Sequence, residues 1–238
     1  MTRVIPARGA ILWALIFASA GWVPAPAQSV ISTHSGTVYF FDGSVYLGDQ
    51  QLVQRFGRFP DIGEGRELRT EQGRAEILLT PGTLLRVSES SEIRLLSSKF
   101  SDTRVELLGG SAIMEANEPA KETAVTLVHK DWQVRLLREG VYRMDTEPPK
   151  VTVYKGDINV SATGDPNKLT VHEGQTLPLA SVLVPTDSLA DPADEFKSWA
   201  MSRSQAISSD NAMAAGIIDN PGTSITPPGP LQVSAISR

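Results

Sequence analysis

The chain has 238 residues, with 22 basic and 27 acidic side chains, a net charge of −5 and no cysteine. Disulfide bonds and thiol chemistry are therefore excluded, and the acidic balance argues against a nucleic-acid surface, which needs clustered Lys and Arg. This length predicts one domain with a core large enough to hold the fold without disulfide bonds.

Residues 1–27 have the pattern of a cleavable secretory signal peptide. Arg3 and Arg8 form a short positive region, and an apolar run follows it. Ala25 and Ala27 provide the small side chains that signal peptidase requires, so we predict cleavage after Ala27. An uncleaved membrane anchor is disfavoured, because a spanning helix needs about 20 apolar residues and prolines follow this run closely. We therefore expect a periplasmic or secreted protein without stable membrane insertion after cleavage.

A short linker at residues 28–35 precedes a region, residues 36–180, in which apolar and charged side chains alternate and Gly or Pro interrupts often. In residues 75–79 the odd positions are apolar and share one face of a strand, whereas Arg74 and Glu76 take the other face. The same alternation recurs in later segments. The pattern predicts an all-β domain built from short strands.

A loose repeat marks the strand ends in this region. The order apolar, any, apolar, any, any, Gly occurs four times, ending at Gly82, Gly110, Gly156 and Gly174. Each copy predicts a strand entering a tight turn, because glycine reaches positive φ without steric cost and lets the next strand fold straight back. The irregular spacing disfavours a solenoid and favours stacked hairpins or a sandwich-like or barrel-like core.

The C-terminal region changes character. Residues 191–207 predict an amphipathic helix in which Phe196, Trp199 and Arg203 share one stripe. We expect this stripe to pack on the β core, and the alternative is that these three residues dock a partner. Residues 219–238 lack periodicity and are rich in turn residues, so we predict a disordered tail.

The order of the motifs resembles the FecR-type domain of bacterial extracytoplasmic proteins. The likeness rests on eight segments: residues 43–45, 65–70, 73–79, 83–86, 91–95, 105–112, 139–143 and 151–156. It implies a β domain used for signalling or interaction, with no catalytic residues and no cofactor to carry over. Full regulators of that family have a cytoplasmic anti-sigma region before the β domain. Here the apolar run begins near residue 9, so we expect a form without that region.

The function that follows from the resemblance is a non-catalytic periplasmic or secreted module that binds a cell-envelope protein or polymer. The alternative is a secreted hydrolase, for example glycan-directed, with an unrecognised carboxylate or histidine site. Cysteine is absent and no Gly-x-Ser-x-Gly motif occurs, which disfavours nucleophilic catalysis.

The chain has three histidines that are candidate site residues. His34 is expected in the solvated linker, and His172 in an exposed turn. His129 and Asp131 are two apart and would share a strand face, but without a third ligand nearby they fit a polar strand end better than a metal site. We therefore expect no metal site.

Paired carboxylates could serve glycoside hydrolysis, and the candidates are Glu115 with Glu118 and Asp194 with Glu195. The second pair follows Asp191, the predicted N-cap, and the helix macrodipole explains acidic residues there. Nothing in the pattern selects either pair for catalysis.

An aromatic cluster stands near the start of the β region, formed by Tyr39, Phe40, Phe41 and Tyr46. Such a cluster could bind sugars through exposed ring faces. Because apolar residues alternate through this segment, we expect it to belong to the core.

Overall fold

The structure, a computed structural model, describes residues 35–55, 57–117, 119–188 and 193–219. The predicted signal peptide, His34 and all but the first residue of the predicted tail lie outside these ranges. Within them the chain forms fifteen strands and one helix. The bounds are β1 Thr37–Leu47, β2 Gln50–Gln51, β3 Glu67–Thr80, β4 Thr83–Val87, β5 Glu92–Lys99, β6 Asp102–Gly109, β7 Ser111–Ala116, β8 Val125–His129, β9 Trp132–Leu136, β10 Gly140–Thr146, β11 Pro149–Lys155, β12 Asp157–Ala162, β13 Leu169–His172, β14 Gln175–Pro178, β15 Thr186–Asp187 and α1 Glu195–Asp219.

All strands belong to one open sheet with two arms that diverge from β3. The N-terminal end of β3 pairs with β5, and the first arm continues through β6, β8, β9, β12 and β13. The C-terminal part of β3 pairs with β4, and the second arm continues through β7, β10, β11, β14 and β15. Neighbouring strands are antiparallel except β6 and β8. The all-β prediction is confirmed.

The chain adds strands to the two arms in turn. The hairpins β8–β9 and β12–β13 extend the first arm, and β10–β11 and β14–β15 extend the second. This alternation is the stacked-hairpin arrangement among the predicted architectures. Both arms therefore gain strands in turn along the chain.

The four repeat glycines all have positive φ, as predicted, but three of them do not form hairpins. Gly82 joins the β3–β4 hairpin, whereas the chain crosses from one arm to the other at Gly110, Gly156 and Gly174. At Gly110, with φ of 81°, a Cβ would lie 2.1 Å from Oγ of Ser91. The hairpin expectation was wrong there because local glycine geometry fixes a sharp corner, not the strand that the next segment pairs with.

One apolar core lies between the arms and receives side chains from both. Ala75, Ile77 and Leu79 of β3 are fully buried in it, as their alternation predicts. The largest fully buried apolar side chains of the other strands include Leu85, Ile93, Leu95, Leu107, Met114, Leu127 and Tyr142. Ser35, at the end of the predicted linker, is also buried, and its hydroxyl lies 2.6 Å from Oγ1 of Thr103.

Helix α1 packs on the outer face of the second arm. Phe196 and Ala200 are buried there with Ile113, and the half-buried Val141, Tyr154 and Trp199 complete this second apolar cluster. Within the described residues, no helix is both long and apolar enough to cross a membrane. The second arm is therefore covered on both faces where the helix lies.

The helix begins at Glu195 and runs to Asp219, later and longer than predicted. The side chain of Asp194 accepts a hydrogen bond of 3.0 Å from the backbone N–H of Lys197, so Asp194 occupies the N-cap position. The predicted cap, Asp191, lies outside the described residues. The helix passes residue 207 because the next proline in the chain is Pro221.

Candidate functional site

A row of outward-facing side chains crosses the second arm beneath α1. Glu76 of β3 is the register partner of Arg86 on β4, Arg86 of Ile113 on β7, and Ile113 of Arg143 on β10. Direct partners on neighbouring strands have Cβ atoms about 5 Å apart, so these four side chains stand next to one another. The row therefore contains three charged side chains and the apolar Ile113, and the helix must match both kinds.

The helix matches the row at both ends. Arg143 donates to Asp194 at 2.7 Å, and Arg203 donates two hydrogen bonds to Glu76 at 3.1 and 2.9 Å. The helix advances about 13.5 Å between positions 194 and 203, and three strand spacings span about 14 Å. Helix α1 therefore crosses the strands along the row.

The centre of the interface is a set of four charged side chains, Glu76, Arg86, Glu115 and Arg203, which we name the buried cluster. Arg86 is 1% exposed and donates through Nε to Glu76 at 3.0 Å and through Nη1 to Glu115. The hydroxyl of Ser204 on the helix donates to Glu115 at 2.5 Å. Two guanidinium groups and two carboxylates balance, so the buried cluster is neutral as a unit.

Hydrogen bonds and charge keep Glu115 ionised despite its burial. Burial alone would raise the pKa of this carboxyl, but the hydrogen bond from Ser204 and the positive charge of Arg86 outweigh it. A further hydrogen bond from Asn117 acts in the same direction. The pKa of Glu115 lies below its usual value, and the group is a carboxylate at neutral pH.

One donor of the buried cluster has no partner among the described residues. Nη2 of Arg86 is buried and makes no hydrogen bond there, although Nε and Nη1 of the same guanidinium are both paired. A buried donor without an acceptor costs about 1–3 kcal/mol. The arrangement therefore has unused hydrogen-bonding capacity at its centre.

Two cavities flank the contact between α1 and the sheet, and together we name them the helix groove. The Tyr154 cavity has a volume of about 660 Å³, and the Tyr39 cavity about 470 Å³. Both are lined by Arg86, Glu115 and Ser204. Cavities of this size are typical of ligand sites. The unpaired donor of Arg86 thus belongs to a residue on the shared wall of the groove.

The three residues predicted for partner docking face the sheet of their own chain. Phe196 is buried, and Trp199 is half-buried with its ring 5.5 Å from the guanidinium of Arg74. Arg203 binds Glu76 and lies 3.9 Å above the ring of Phe40. Partner docking through these residues stays a prediction, and it would require α1 to leave the sheet.

The histidines do not come together. His129 is the last residue of β8, as the strand-end interpretation predicts, and it is buried with Nδ1 2.8 Å from the carbonyl oxygen of Leu107. His172 is exposed, as predicted, and Nδ1 lies 2.8 Å from Asp157. In the four described ranges, no group of three or more His, Asp or Glu side chains could hold a metal ion.

The carboxylate pairs are separated in role. Asp194 caps α1 and binds Arg143, while Glu195 is the first residue of the helix. Glu115 belongs to the buried cluster, and Glu118 lies outside the described residues. The helix-start explanation accounts for Asp194.

The aromatic cluster near the start of the β region is only partly core, contrary to the expectation. Phe41 is buried, but Tyr39 is exposed, and Phe40 and Tyr46 are half-buried beneath arginines. A register shift between Val38 and Phe40 leaves Tyr39 unpaired in a β-bulge. The bulge breaks the alternation and turns the Tyr39 ring outward.

Sequence reasoning missed the buried cluster. The strand alternation correctly places Glu76 on the face opposite the core. It does not indicate that another element covers this face. A signal was available in β7, where both the inward Met114 and the outward Ile113 are apolar. A strand that is apolar on both faces indicates a second covering layer.

Comparisons with known proteins give a distant likeness only. No family model matches the chain, and no curated protein matches it. Two crystal structures of a candidate anti-sigma factor from Parabacteroides distasonis align with 13% and 11% sequence identity and a TM-score of 0.42 each. The aligned part covers 51% of this chain and 59% of that protein, so the chain spans less than two thirds of its length. The FecR-type domain therefore remains a resemblance of the sequence.

Proposed function

We propose that the chain is a non-catalytic interaction module of the periplasm or cell exterior that binds a cell-envelope protein or polymer through the helix groove. The observation that carries the proposal is the groove itself. It combines apolar walls from Ile113 and Val141 with the polar side chains of Asn117 and Ser204. This mixture of apolar surface and a few placed polar groups is typical of binding sites.

The electrostatics of the groove support binding over catalysis. General acid catalysis in a hydrolase needs a carboxyl whose pKa is raised toward neutrality. The pKa of Glu115 is lowered instead, and Glu76 is held by two arginines. Both carboxylates serve the packing of α1, which leaves the groove as a surface for recognition.

The proposal is tested by capture from cell-envelope extract with residues 28–238 as bait. Met201 is exposed on α1 and lines the Tyr154 cavity, so Met201→Arg places a charge in the groove without disturbing the core. Val182 is an exposed apolar residue that lines neither cavity of the helix groove, and Val182→Arg is the matched control. Circular dichroism verifies that both variants fold.

We expect wild type and Val182→Arg to retain the same partner after crosslinking, and Met201→Arg to lose it. A bait that captures nothing contradicts the proposal. Equal capture by all three chains contradicts the helix groove as the binding surface.

A further inference from the structure

The Tyr39 cavity is bordered by an exposed aromatic platform. The rings of Tyr39 and Phe59 stack with centroids 5.9 Å apart and an angle of 10° between their planes. Their exposed fractions are 46% and 55%, and Tyr39 lines the cavity. The β-bulge at Tyr39 holds this ring outward, next to the half-buried Phe40. In a regular strand the two neighbouring side chains would point to opposite faces. The two rings are parallel and stacked on each other, and the exposed part of the pair presents a flat aromatic face to solvent.

A flat aromatic surface suits the apolar face of a sugar ring. The π face carries partial negative charge, and the C–H groups of a pyranose carry partial positive charge, so the two attract in addition to burying apolar area. The platform consists of two rings, which differs from the larger apolar patches of protein interfaces.

The charge balance of the cavity wall favours a neutral, hydrogen-bonding ligand. Arg86 lines the cavity, and its buried Nη2 has N–H groups without a partner in the described part of the chain. A carboxylate ligand at this point would approach Glu115, and a cation would approach Arg86 itself. The buried cluster is already neutral, so no net charge remains for an ionic ligand. A sugar hydroxyl adds no charge to this wall.

Further polar groups of the cavity match the same chemistry. Asn117 and Ser208 line it with amide and hydroxyl groups, which donate to and accept from sugar hydroxyls. The volume of about 470 Å³ lies within the range of small-ligand pockets.

From these features we propose that the Tyr39 cavity binds a neutral oligosaccharide, with one sugar ring stacked on the exposed face of the Tyr39–Phe59 pair and sugar hydroxyls bonded to Asn117 and Ser208. The inference rests on the proposed function, because it names the polymer that the interaction module would hold. It specifies the chemical class of the ligand and assigns its binding to the Tyr39 cavity of the helix groove.

The test is affinity electrophoresis of residues 28–238 through gels that contain a neutral glucan or mannan, or polygalacturonate as an acidic counterpart. Binding constants for the best oligosaccharide are then measured by calorimetry. Tyr39→Ala and Phe59→Ala remove exposed rings and leave the fold intact. Leu96→Ala is the matched control, since Leu96 is also exposed and also lies at a strand irregularity.

We expect a neutral polysaccharide to retard the wild type, and each platform variant to bind about tenfold more weakly, while Leu96→Ala binds like wild type. Retardation by no neutral polysaccharide, retardation by polygalacturonate alone, or unchanged binding of both platform variants overturns the inference. If the chain captures a Met201-dependent envelope protein but binds no sugar, the oligosaccharide is excluded and the interaction module stands. If it binds neither, both proposals fail.

Discussion

In two different regions of the sheet, an arginine bridges two glutamates on the neighbouring strands. Arg86 on β4 lies between Glu76 and Glu115, and Arg94 on β5 lies between Glu67 and Glu106. The chemistry is the same, but Arg86 is 1% exposed and Arg94 is 36% exposed. The difference comes from α1, which covers the second arm above Arg86.

Burial changes what the same bridge contributes to stability. The exposed bridge at Arg94 gains little, because water and salt screen the charges and two long side chains must be ordered. The buried bridge has already lost its hydration, so removing one partner leaves charges without compensation. The comparison teaches that the stability of this face depends on the helix as much as on the sheet.

The strongest way to break the comparison is to remove Arg86. Arg86→Met leaves Glu76 and Glu115 buried with reduced compensation, and we expect a loss of about 3–5 kcal/mol in the free energy of unfolding, or failure to fold. Urea denaturation followed by circular dichroism measures it. Arg94→Met is the control and should leave the urea midpoint nearly unchanged. Equal losses in the two variants would contradict the assigned role of burial.

Removing the apolar anchor of α1 tests whether the helix makes the difference. Phe196→Ala creates a cavity against Ile113, and we expect a loss of about 3 kcal/mol. In residues 28–238 with Trp132→Phe, which leaves Trp199 as the one tryptophan, its fluorescence should also shift to longer wavelength as the helix loosens. Met201→Ala changes an exposed position of the same helix and serves as control. An unchanged Trp199 spectrum in Phe196→Ala would argue against this packing.

The ion pair between helix and sheet gives a smaller effect. Arg203→Gln removes the paired hydrogen bonds to Glu76 and the contact over Phe40, and we expect a loss of about 2 kcal/mol. Arg203→Lys keeps the charge but not the planar fork, so its stability should lie between that of the wild type and that of Arg203→Gln. Urea midpoints rank the three chains, and the reverse order for Lys and Gln would refute the paired geometry.

We expect the smallest effect on stability from a change of pH. The pKa of Glu115 is lowered in the folded chain, so its contribution is present above the usual value of 4.5 and is lost as pH falls through the folded value. Thermal unfolding at pH 7 and at steps below pH 4.5 should show a smaller decline in Glu115→Gln than in wild type. Parallel declines in the two chains would exclude Glu115 as a source of acid sensitivity.

Much of the sheet could be predicted from local pattern. The alternation around Glu76 placed Ala75, Ile77 and Leu79 on the core side, and repeat glycines marked where strands end. Period and turn chemistry are local properties, which a single sequence carries directly. The partners of the strands after Gly110 are not local, and the hairpin expectation failed at that point.

The candidate site was less predictable for the same reason. The contact that covers Glu76 comes from Arg203, 127 positions later. Tyr39 faces outward because of a bulge in pairing with β3, and a bulge depends on the partner strand. Long-range packing determines both features, whereas the helix stripe of Phe196 and Trp199 could be identified from its spacing alone.

The alternate addition of hairpins to two arms bears on how the chain reaches its native state. The first arm is complete only with β13 and the second only with β15, and the bridge over β3 closes only after Arg203 follows them. Contacts so distant in sequence make folding slow and late. We therefore expect β3, the first long strand, to complete its contacts only when the C-terminal helix is in place.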